Sequence, residues 1–436
     1  MKIKHLVLFI SLTLTSGKLL AQQKLNLQDA ITTALANNYD IKLVKNEVDI
    51  AKNNVNLGNA GILPTATGNF RTGGGLQNAV QTQASGTQRI INGAKNTNLG
   101  YGIGLDWTVF DGFKMFANYD KLKTLEKQGE VKAKTQILTT ISNVIIAYYN
   151  IAKQQQLVMA SDSALNISNL RLAIANNKLK IGRGSKLDVL SAKVDYNTDT
   201  SIYLQQKNTL ANYKVALNQL LARDVNTKFS VENQINIDKS LNYTTLADLA
   251  TSLNPNLQSA IMNKKIAELN LKAVKANRYP QISLNSGYEF SRSATPTGFN
   301  TNFKATGLTY GLTASINIFN GFLQKQNERN AKIEINSSEL GIEKLKQTIV
   351  AQLTTAYQNY TTALEMVNLE GNNVENANQN LDITLEKYRL GSISPLELRE
   401  AQKNSLTATS RFLEAQFQAK LAEIELKEIS NSLTIQ

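Results

Sequence analysis

From Leu99 to Val109 the chain alternates. Leu99, Tyr101, Ile103, Leu105, Trp107 and Val109 are apolar, while Gly100, Gly102, Gly104, Asp106 and Thr108 between them are small or polar. A period of two predicts a strand with one apolar face. The same pattern returns at Leu308, Tyr310, Leu312, Ala314, Ile316 and Ile318. A preceding partner strand is clear at Ile282, Leu284, Tyr288 and Phe290, with Ser286 in register, and faint from Ala66 to Thr72. Gly73 to Asn98 and Ser293 to Thr306, rich in Gly, Asn, Gln, Ser and Thr, predict the exposed loops that join each pair. Strands of roughly ten residues with this dyad pattern have the length of membrane-spanning barrel strands. A half-buried sheet in a soluble domain alternates in the same way, so the strands alone leave both readings open.

Elsewhere the period is helical. Asn38 to Gly61 predicts a helix that ends ahead of Pro64, because proline disfavours the helical region in the residue before it. Ile137, Ile141, Val144, Tyr148 and Ile151 fall at alternating spacings of four and three, as do Val350, Leu353, Tyr357, Tyr360, Leu364 and Val367, and Val374 keeps the register beyond an interruption at Gly371. Such stripes predict coiled-coil packing. No proline interrupts Phe113 to Leu179 or Phe322 to Tyr388, and each run would reach on the order of 100 Å as a helix. Each then meets a glycine, Gly182 or Gly391, after which a second helix returns. No stretch after the N-terminus is long and apolar enough for a membrane helix, so a barrel is the only spanning structure open to the chain.

The two sets of elements are copies. Phe110-Asp111-Gly112-Phe113 recurs as Phe319-Asn320-Gly321-Phe322, and Ala147-Tyr148-Tyr149-Asn150 as Ala356-Tyr357-Gln358-Asn359. Lys180 to Asp188 recurs as Arg389 to Glu397 at the same offset, and Leu63-Pro64 corresponds to Tyr279-Pro280. One long unit is duplicated in tandem. The organisation expected is a signal peptide over 1–21, a first repeat over 22–222, an inter-repeat linker over 223–245 and a second repeat over 246–436. Within the first repeat we expect helices over 26–62, strands near 64–72 and 99–110, and a helical hairpin over 113–222. Within the second we expect a helix over 254–278, strands near 281–291 and 308–319, and a hairpin over 322–433.

Composition narrows the function. Met1 to Ala21 has the layout of a signal peptide: Lys2, Lys4 and His5, then an apolar core from Leu6 to Leu14, then Leu19-Leu20-Ala21. The chain has no cysteine, and His5 is its only histidine, so the exported protein has neither. That excludes Ser-His-Asp and Cys-His catalysis, the usual zinc ligand sets, haem held through His or Cys, and disulfides. We find no phosphate loop, dinucleotide fingerprint or paired-carboxylate site, and expect no enzyme, cofactor or metal. The formal charge of +13 is spread in pieces such as Lys121-Lys123-Lys127. Behind a signal peptide it suits lipid headgroups or acidic protein surfaces rather than nucleic acid, but with no dense block it reads first as solvated helix faces.

Four strands cannot close a barrel, and open edges in lipid leave backbone groups unpaired at several kcal/mol each. A membrane-spanning form must therefore oligomerise. Two copies give eight strands and three give twelve, and small closed barrels start at about eight.

In order and spacing, these features resemble the TolC-type outer-membrane efflux protein family. The resemblance runs through Leu27-Gln28-Asp29-Ala30-Ile31, Ala34-Leu35 and Asn37-Asn38, the Leu63-Pro64 exit into a strand, the Phe-x-Gly-Phe re-entry into helix, the repeated tips and the duplication itself. It covers essentially the whole exported chain. It implies a mixed α and β fold in which a homotrimer builds a 12-stranded β-barrel in the outer membrane, continued by a periplasmic α-barrel. It also implies an export duct that joins an inner-membrane pump through a periplasmic adaptor protein.

The hairpin tips admit two readings. Ser394-Pro395-Leu396-Glu397 has the layout of a capping box with proline at the first helical position, and Ser185-Lys186-Leu187-Asp188 repeats it with Asp. Gly182 and Gly391 suit the left-handed residue that ends a helix. Together Gly182, Ser185, Gly391 and Ser394 mark the edge at which an adaptor would dock. The tips differ where Tyr388 replaces Leu179 and Glu400 replaces Ser191. Glu397 and Glu400 share a helix face and in a trimer would form rings of carboxylates that constrict a pore and attract cations. The resemblance implies that Tyr388, Glu397 and Glu400 match a tyrosine and two acids that close the periplasmic entrance. A basic residue of that closure falls on Ile393 here, with Arg389 and Arg399 nearby. Cap and gate both stay open for Glu397, as do gate and packing for Tyr388, whereas the cap has no need of Glu400.

Two other functions compete with the duct. A structural or adhesive outer-membrane protein would use the hairpins as a spacer and need no constriction. An exported hydrolase working through carboxylates would need two close acids in a cleft, and the sequence places its acids on helix faces.

Overall fold

The computed structural model describes residues 23–298 and 300–433; the expected signal peptide lies outside the described residues. In the first repeat β1 (Gln23–Lys24), α1 (Leu27–Asn37) and α2 (Tyr39–Asn54) lead into β2 (Thr65–Thr82) and β3 (Gln88–Phe110), then α3 (Lys114–Lys180) and α4 (Lys186–Leu220). The second repeats the order: β4 (Phe229–Ser230), α5 (Tyr243–Leu253), α6 (Pro255–Ala276), β5 (Gln281–Ala294), β6 (Asn302–Ser315), α7 (Leu323–Arg389) and α8 (Pro395–Ile429).

Four strands form one antiparallel sheet in the order β2-β3-β5-β6, so β2 and β6 are its edges, while β1 and β4 pair in parallel as a separate two-stranded sheet. Its register brings Phe70, Tyr101 and Phe290 into one row, and Tyr101 stacks on Phe290 at 4.9 Å. Ile103, Tyr288, Leu308, Tyr310 and Leu312 share that face and are all exposed. The other face carries Asn69, Glu289, Asp106 and Asn285, with Asn285 donating to Asp106 at 2.6 Å. One face is apolar and bare while the other is polar, the reverse of a sheet folded onto a protein core. No helix among the described residues is long and apolar enough to cross a membrane.

Below the sheet the helices take over. Each re-entry uses two successive left-handed residues, Gly112 and Phe113 (φ 71° and 72°) and Gly321 and Phe322 (φ 64° for both). Asp111 and Asn320, just before them, each accept a hydrogen bond from the first turn of the long helix. This double left-handed turn is why the Phe-x-Gly-Phe motif recurs. The long helices α3 and α7 have 67 residues each and the return helices α4 and α8 have 35. Gly371 does not interrupt α7.

The apolar core lies at the middle of these helices. Ile141, Val144, Tyr148 and Ile151 of the expected stripe are buried there with Leu25, Ile31, Leu217, Leu221, Phe229 and Ile424. A second cluster gathers Leu246, Leu257, Ile349, Leu353, Tyr360 and Leu426. Val350 stands outside it, 41% exposed, so this stripe is centred on Leu353 and Tyr360. The segment expected as a linker, 223–245, is part of the core. It places Phe229, Val231 and Ile235 in the first cluster, and α5 begins inside it at Tyr243, capped by Asn242.

Four further expectations change. The helix expected to run from Asn38 to Gly61 ends at Asn54, where asparagine side chains satisfy the backbone of a turn: Asn56 accepts from Asn59 N at 2.8 Å. The loop expected from Gly73 to Asn98 is mostly ladder, with pairing that continues to Thr82 and Gln88 before a turn at Gly86 (φ 84°). Leu76, Val80 and Ile90 are scattered there among Gly, Asn, Gln and Lys, so backbone pairing proceeds with no clean alternation to mark it. Likewise the expected loop from Ser293 to Thr306 keeps pairing to Ala294 and Asn302. At the other end β6 stops at Ser315, not Phe319, because Ser315 pairs with Gln281, the first residue of β5.

Candidate functional site at the hairpin tips

Each hairpin tip is a stop followed by a start. The chain leaves α3 through Gly182 (φ 73°), with Arg183 N donating to Lys178 O at 2.8 Å and Gly182 N to Leu179 O at 3.1 Å. It leaves α7 through Gly391 (φ 78°), with Ser392 N donating to Lys387 O and Gly391 N to Tyr388 O, both at 3.0 Å. These are paired Schellman bonds, and the left-handed residue between them favours glycine. Nothing lies within 4 Å of where a Cβ would stand on either glycine, so conformation alone selects them.

The return helices start with reciprocal caps. Ser185 Oγ accepts from Asp188 N at 3.1 Å and Ser185 N donates to Asp188 Oδ2 at 3.2 Å. In the second tip Ser394 Oγ accepts from Glu397 N at 3.3 Å and Ser394 N donates to Glu397 Oε1 at 3.2 Å. Hydrogen bonds from the Ser185 side chain and backbone hold the Asp188 carboxyl below its ordinary pKa. Ile181 and Leu187 on one tip, and Leu390 and Leu396 on the other, are 66–83% exposed, at positions that correspond between repeats. Two equivalent apolar knuckles therefore end the molecule.

The expected gate residues occupy two environments. Tyr388 is 3% exposed, with Lys178 Nζ 5.4 Å from its ring centroid, so it sits between the hairpins. Burial pushes its hydroxyl pKa up, while nearby Arg171 pulls the other way. Glu397 and Glu400 are exposed, and the structure does not bury either with Tyr388. Glu397 is engaged by its cap, and Glu400 forms no salt bridge among the described residues.

Sequence reasoning missed a buried polar joint between the hairpins. Arg399 Nη1 of α8 donates to Asp199 Oδ2 of α4 at 2.7 Å, and Arg399 Nε lies 3.4 Å from Asp195 Oδ1. Arg171 of α3 pairs with Asp195 at 2.9 Å. Ser168 donates to Asp199, and Gln402 donates to Ser168 Oγ at 3.0 Å, Asp199 Oδ2 at 3.1 Å and Ala164 O at 2.7 Å. Burial alone would depress the Arg399 guanidinium, but Asp199 and Asp195 outweigh it and hold its pKa above the ordinary value. The signal was present. Ala164, Ser168, Arg171 and Ala175 fall at spacings of four, three and four and are all buried, so Arg171 occupies a seam position that normally takes an apolar residue. At such a position a polar residue specifies which helix packs where.

A family model described as outer membrane efflux protein matches residues 30–223 and 246–432, one segment in each repeat. The outer membrane efflux protein BepC of Brucella suis is 19% identical over 426 residues, spanning 97% of this chain and 89% of that protein. The outer membrane protein TolC of Escherichia coli is 20% identical over 443 residues, spanning 99% and 87%. The crystal structure of the CmeC outer membrane channel of Campylobacter jejuni superimposes with a TM-score of 0.75 at 18% identity, spanning 93% of this chain and 85% of that one.

Proposed function

The chain belongs to the outer membrane efflux protein family, a family of outer-membrane efflux channels rather than enzymes, and we propose that it is the passive exit duct of a tripartite efflux or secretion system, gated at its periplasmic end. The observation that carries this reading is the pair of free sheet edges: β2 and β6 each pair on one side only among the described residues. In lipid both edges need partners. A homotrimer supplies twelve strands and closes one barrel, and the helices, about 100 Å long, continue the tube away from the membrane. Outer-membrane lipid surrounds the barrel, and the solute moves by diffusion without a cofactor or a catalytic step.

The tips would meet a periplasmic adaptor protein, which links the duct to an inner-membrane pump. Gly182, Ser185, Gly391 and Ser394 shape that edge, and the exposed Ile181, Leu187, Leu390 and Leu396 give it apolar contact. For the gate we assign separate roles. Glu400, free of the cap, supplies a ring of charge, and Glu397 serves first as the cap. Tyr388 and the Arg399–Asp199 joint hold the second hairpin against the first in the closed state.

Single-channel conductance in a planar bilayer tests this. Wild type should give small, cation-preferring openings, and Glu400→Gln larger openings with less preference for cations. Folded, inserted protein that never conducts would overturn the duct and leave the spacer reading in its place.

A further inference from the structure

We propose that Arg292 and Lys304 form a site on the outer face of the barrel for the phosphate of an outer-leaflet lipid headgroup. Membership of the barrel places the pair; the proposal does not depend on whether the duct is gated.

The register fixes where these side chains lie. Residues directly opposite in an antiparallel pair share a face, and so do residues two apart along a strand. Arg292 is two residues beyond Phe290 in a stretch of β5 whose pairing with β6 is unbroken from Gln281 to Ala294, and Lys304 is its direct partner. Both therefore lie on the apolar, lipid-facing side. They sit one row beyond the aromatic row of Phe70, Tyr101 and Phe290, on the side away from the helices. Aromatic rows of this kind mark the boundary between hydrocarbon and headgroups. Arg292 and Lys304 are thus at headgroup depth in the leaflet that faces out of the cell.

Two like charges directly opposite on one sheet face repel each other. Among the described residues no acid on this face relieves them. The rest of their row is Leu99 and Thr72, Phe290 and Thr306 stand below, and Ala294 and Asn302 stand above. Glu289, the nearest carboxylate in sequence, belongs to the opposite face, where Asn69 donates to it. Both basic side chains are exposed. Arg71, by contrast, lies across the sheet from this row, on the polar face opposite Gly100. A phosphate shared between a guanidinium and an ammonium removes the repulsion, and guanidinium binds phosphate oxygens in bidentate fashion. The lipid's acyl chains would run down over Phe290 and Tyr288.

The full-length protein, purified in detergent, is offered an equal mixture of phosphatidylglycerol and a neutral diacyl glycolipid with the same acyl chains. Native mass spectrometry then weighs the lipid it retains. Wild type should favour phosphatidylglycerol by roughly tenfold or more, the scale expected from two basic residues near an anionic headgroup. The double substitution Arg292→Gln with Lys304→Gln should erase the preference and leave the total lipid unchanged, while Arg292→Lys should keep most of it. Arg71→Gln, an equal change of charge per residue on the other face, should leave the preference intact. The proposal is overturned by a wild type with no preference, by Arg71→Gln acting as strongly as the double variant, or by displacement of the lipid with excess inorganic phosphate, which would mark a free-anion site. Conduction plays no part in the readout, so a failed duct reading would leave this result standing.

Discussion

Asn38 and Asn254 perform the same two tasks at corresponding points of the two repeats. Each side-chain oxygen caps a helix, Asn38 accepting from Asp40 N and Ile41 N and Asn254 from Asn256 N and Leu257 N. Each amide nitrogen donates to the end of that repeat's return helix, Asn38 to Leu220 O at 2.9 Å and Asn254 to Ile429 O at 3.0 Å. One buried amide thus closes the frayed ends of two helices at once. Asn38→Ala and Asn254→Ala should each destabilise the fold by about 1–3 kcal/mol, the loss of a cap plus an orphaned carbonyl. Asn38→Asp should keep the cap and still lose stability, because a carboxylate cannot donate to Leu220 O. Thermal unfolding of the three variants checks this.

The Arg399–Asp199 contact should behave as a latch. Arg399→Ala leaves Asp199 buried beside Ser168 and Gln402 without its cation, and breaking a buried pair from one side typically costs about 3–5 kcal/mol. We expect more frequent channel opening in that variant. Replacing both partners, as Arg399→Met with Asp199→Leu, should restore thermal stability but leave the openings frequent. Conductance and melting measured side by side separate the latch from a general loss of fold.

Glu397 and Glu400 should come apart under substitution. Glu397→Ala removes the carboxylate that accepts from Ser394, which should lower stability by about 1 kcal/mol with little change in ion preference. Glu400→Ala should leave stability within about 0.5 kcal/mol, as surface changes usually do, and should weaken cation preference. Reversal potentials across a salt gradient decide between them.

The two re-entry glycines offer an internal comparison. A Cβ on Gly112 would stand 2.3 Å from Ala276 O, whereas one on Gly321 meets nothing within 4 Å. Gly321→Ala should therefore cost only the left-handed backbone penalty, about 1–2 kcal/mol. Gly112→Ala should cost clearly more, because α6 must move. Yield and melting temperature of the folded protein report the difference.

Acid should loosen the join between the segment 223–245 and α8. Hydrogen bonds from the Ser240 side chain and backbone, and then from Lys427, hold the Asp238 carboxyl at about 2, below its ordinary 3.8. A carboxyl with a depressed folded pKa stabilises fully above its unfolded value and loses that contribution as pH falls from 3.8 toward about 2. The melting temperature should drop across that window, and Asp238→Asn should flatten the drop.

The sequence revealed its periodic and repeated parts well. Strand faces, helical stripes, the glycine stops and the duplication are all local patterns, and local patterns survive in one dimension. It revealed least where polar residues do structural work. The ladder beyond Gly73 is held by backbone pairing, and its few apolar residues, such as Leu76, Val80 and Ile90, form no continuous face to betray it. Asn38 and Asn254 read only as residues of expected helices until Leu220 and Ile429 are brought beside them. At the tips, caps and glycines were readable because their partners are within five residues. The joint through Arg171, Asp195, Asp199 and Arg399 draws on three helices, and only the seam position of Arg171 hinted at it.

The β2–β3 hairpin outruns its neighbours. Among the described residues its two strands pair only with each other between Gly75 and Asn96, and Gln77 and Gln81 hydrogen-bond from them to Thr297. This ribbon can change length without disturbing the shared ladder or the edges on which closure depends. The turn at Ser85-Gly86 is therefore a permissive point for an inserted peptide. An epitope placed there would be displayed at the cell surface, and antibody staining of intact cells would read the orientation of the whole molecule directly.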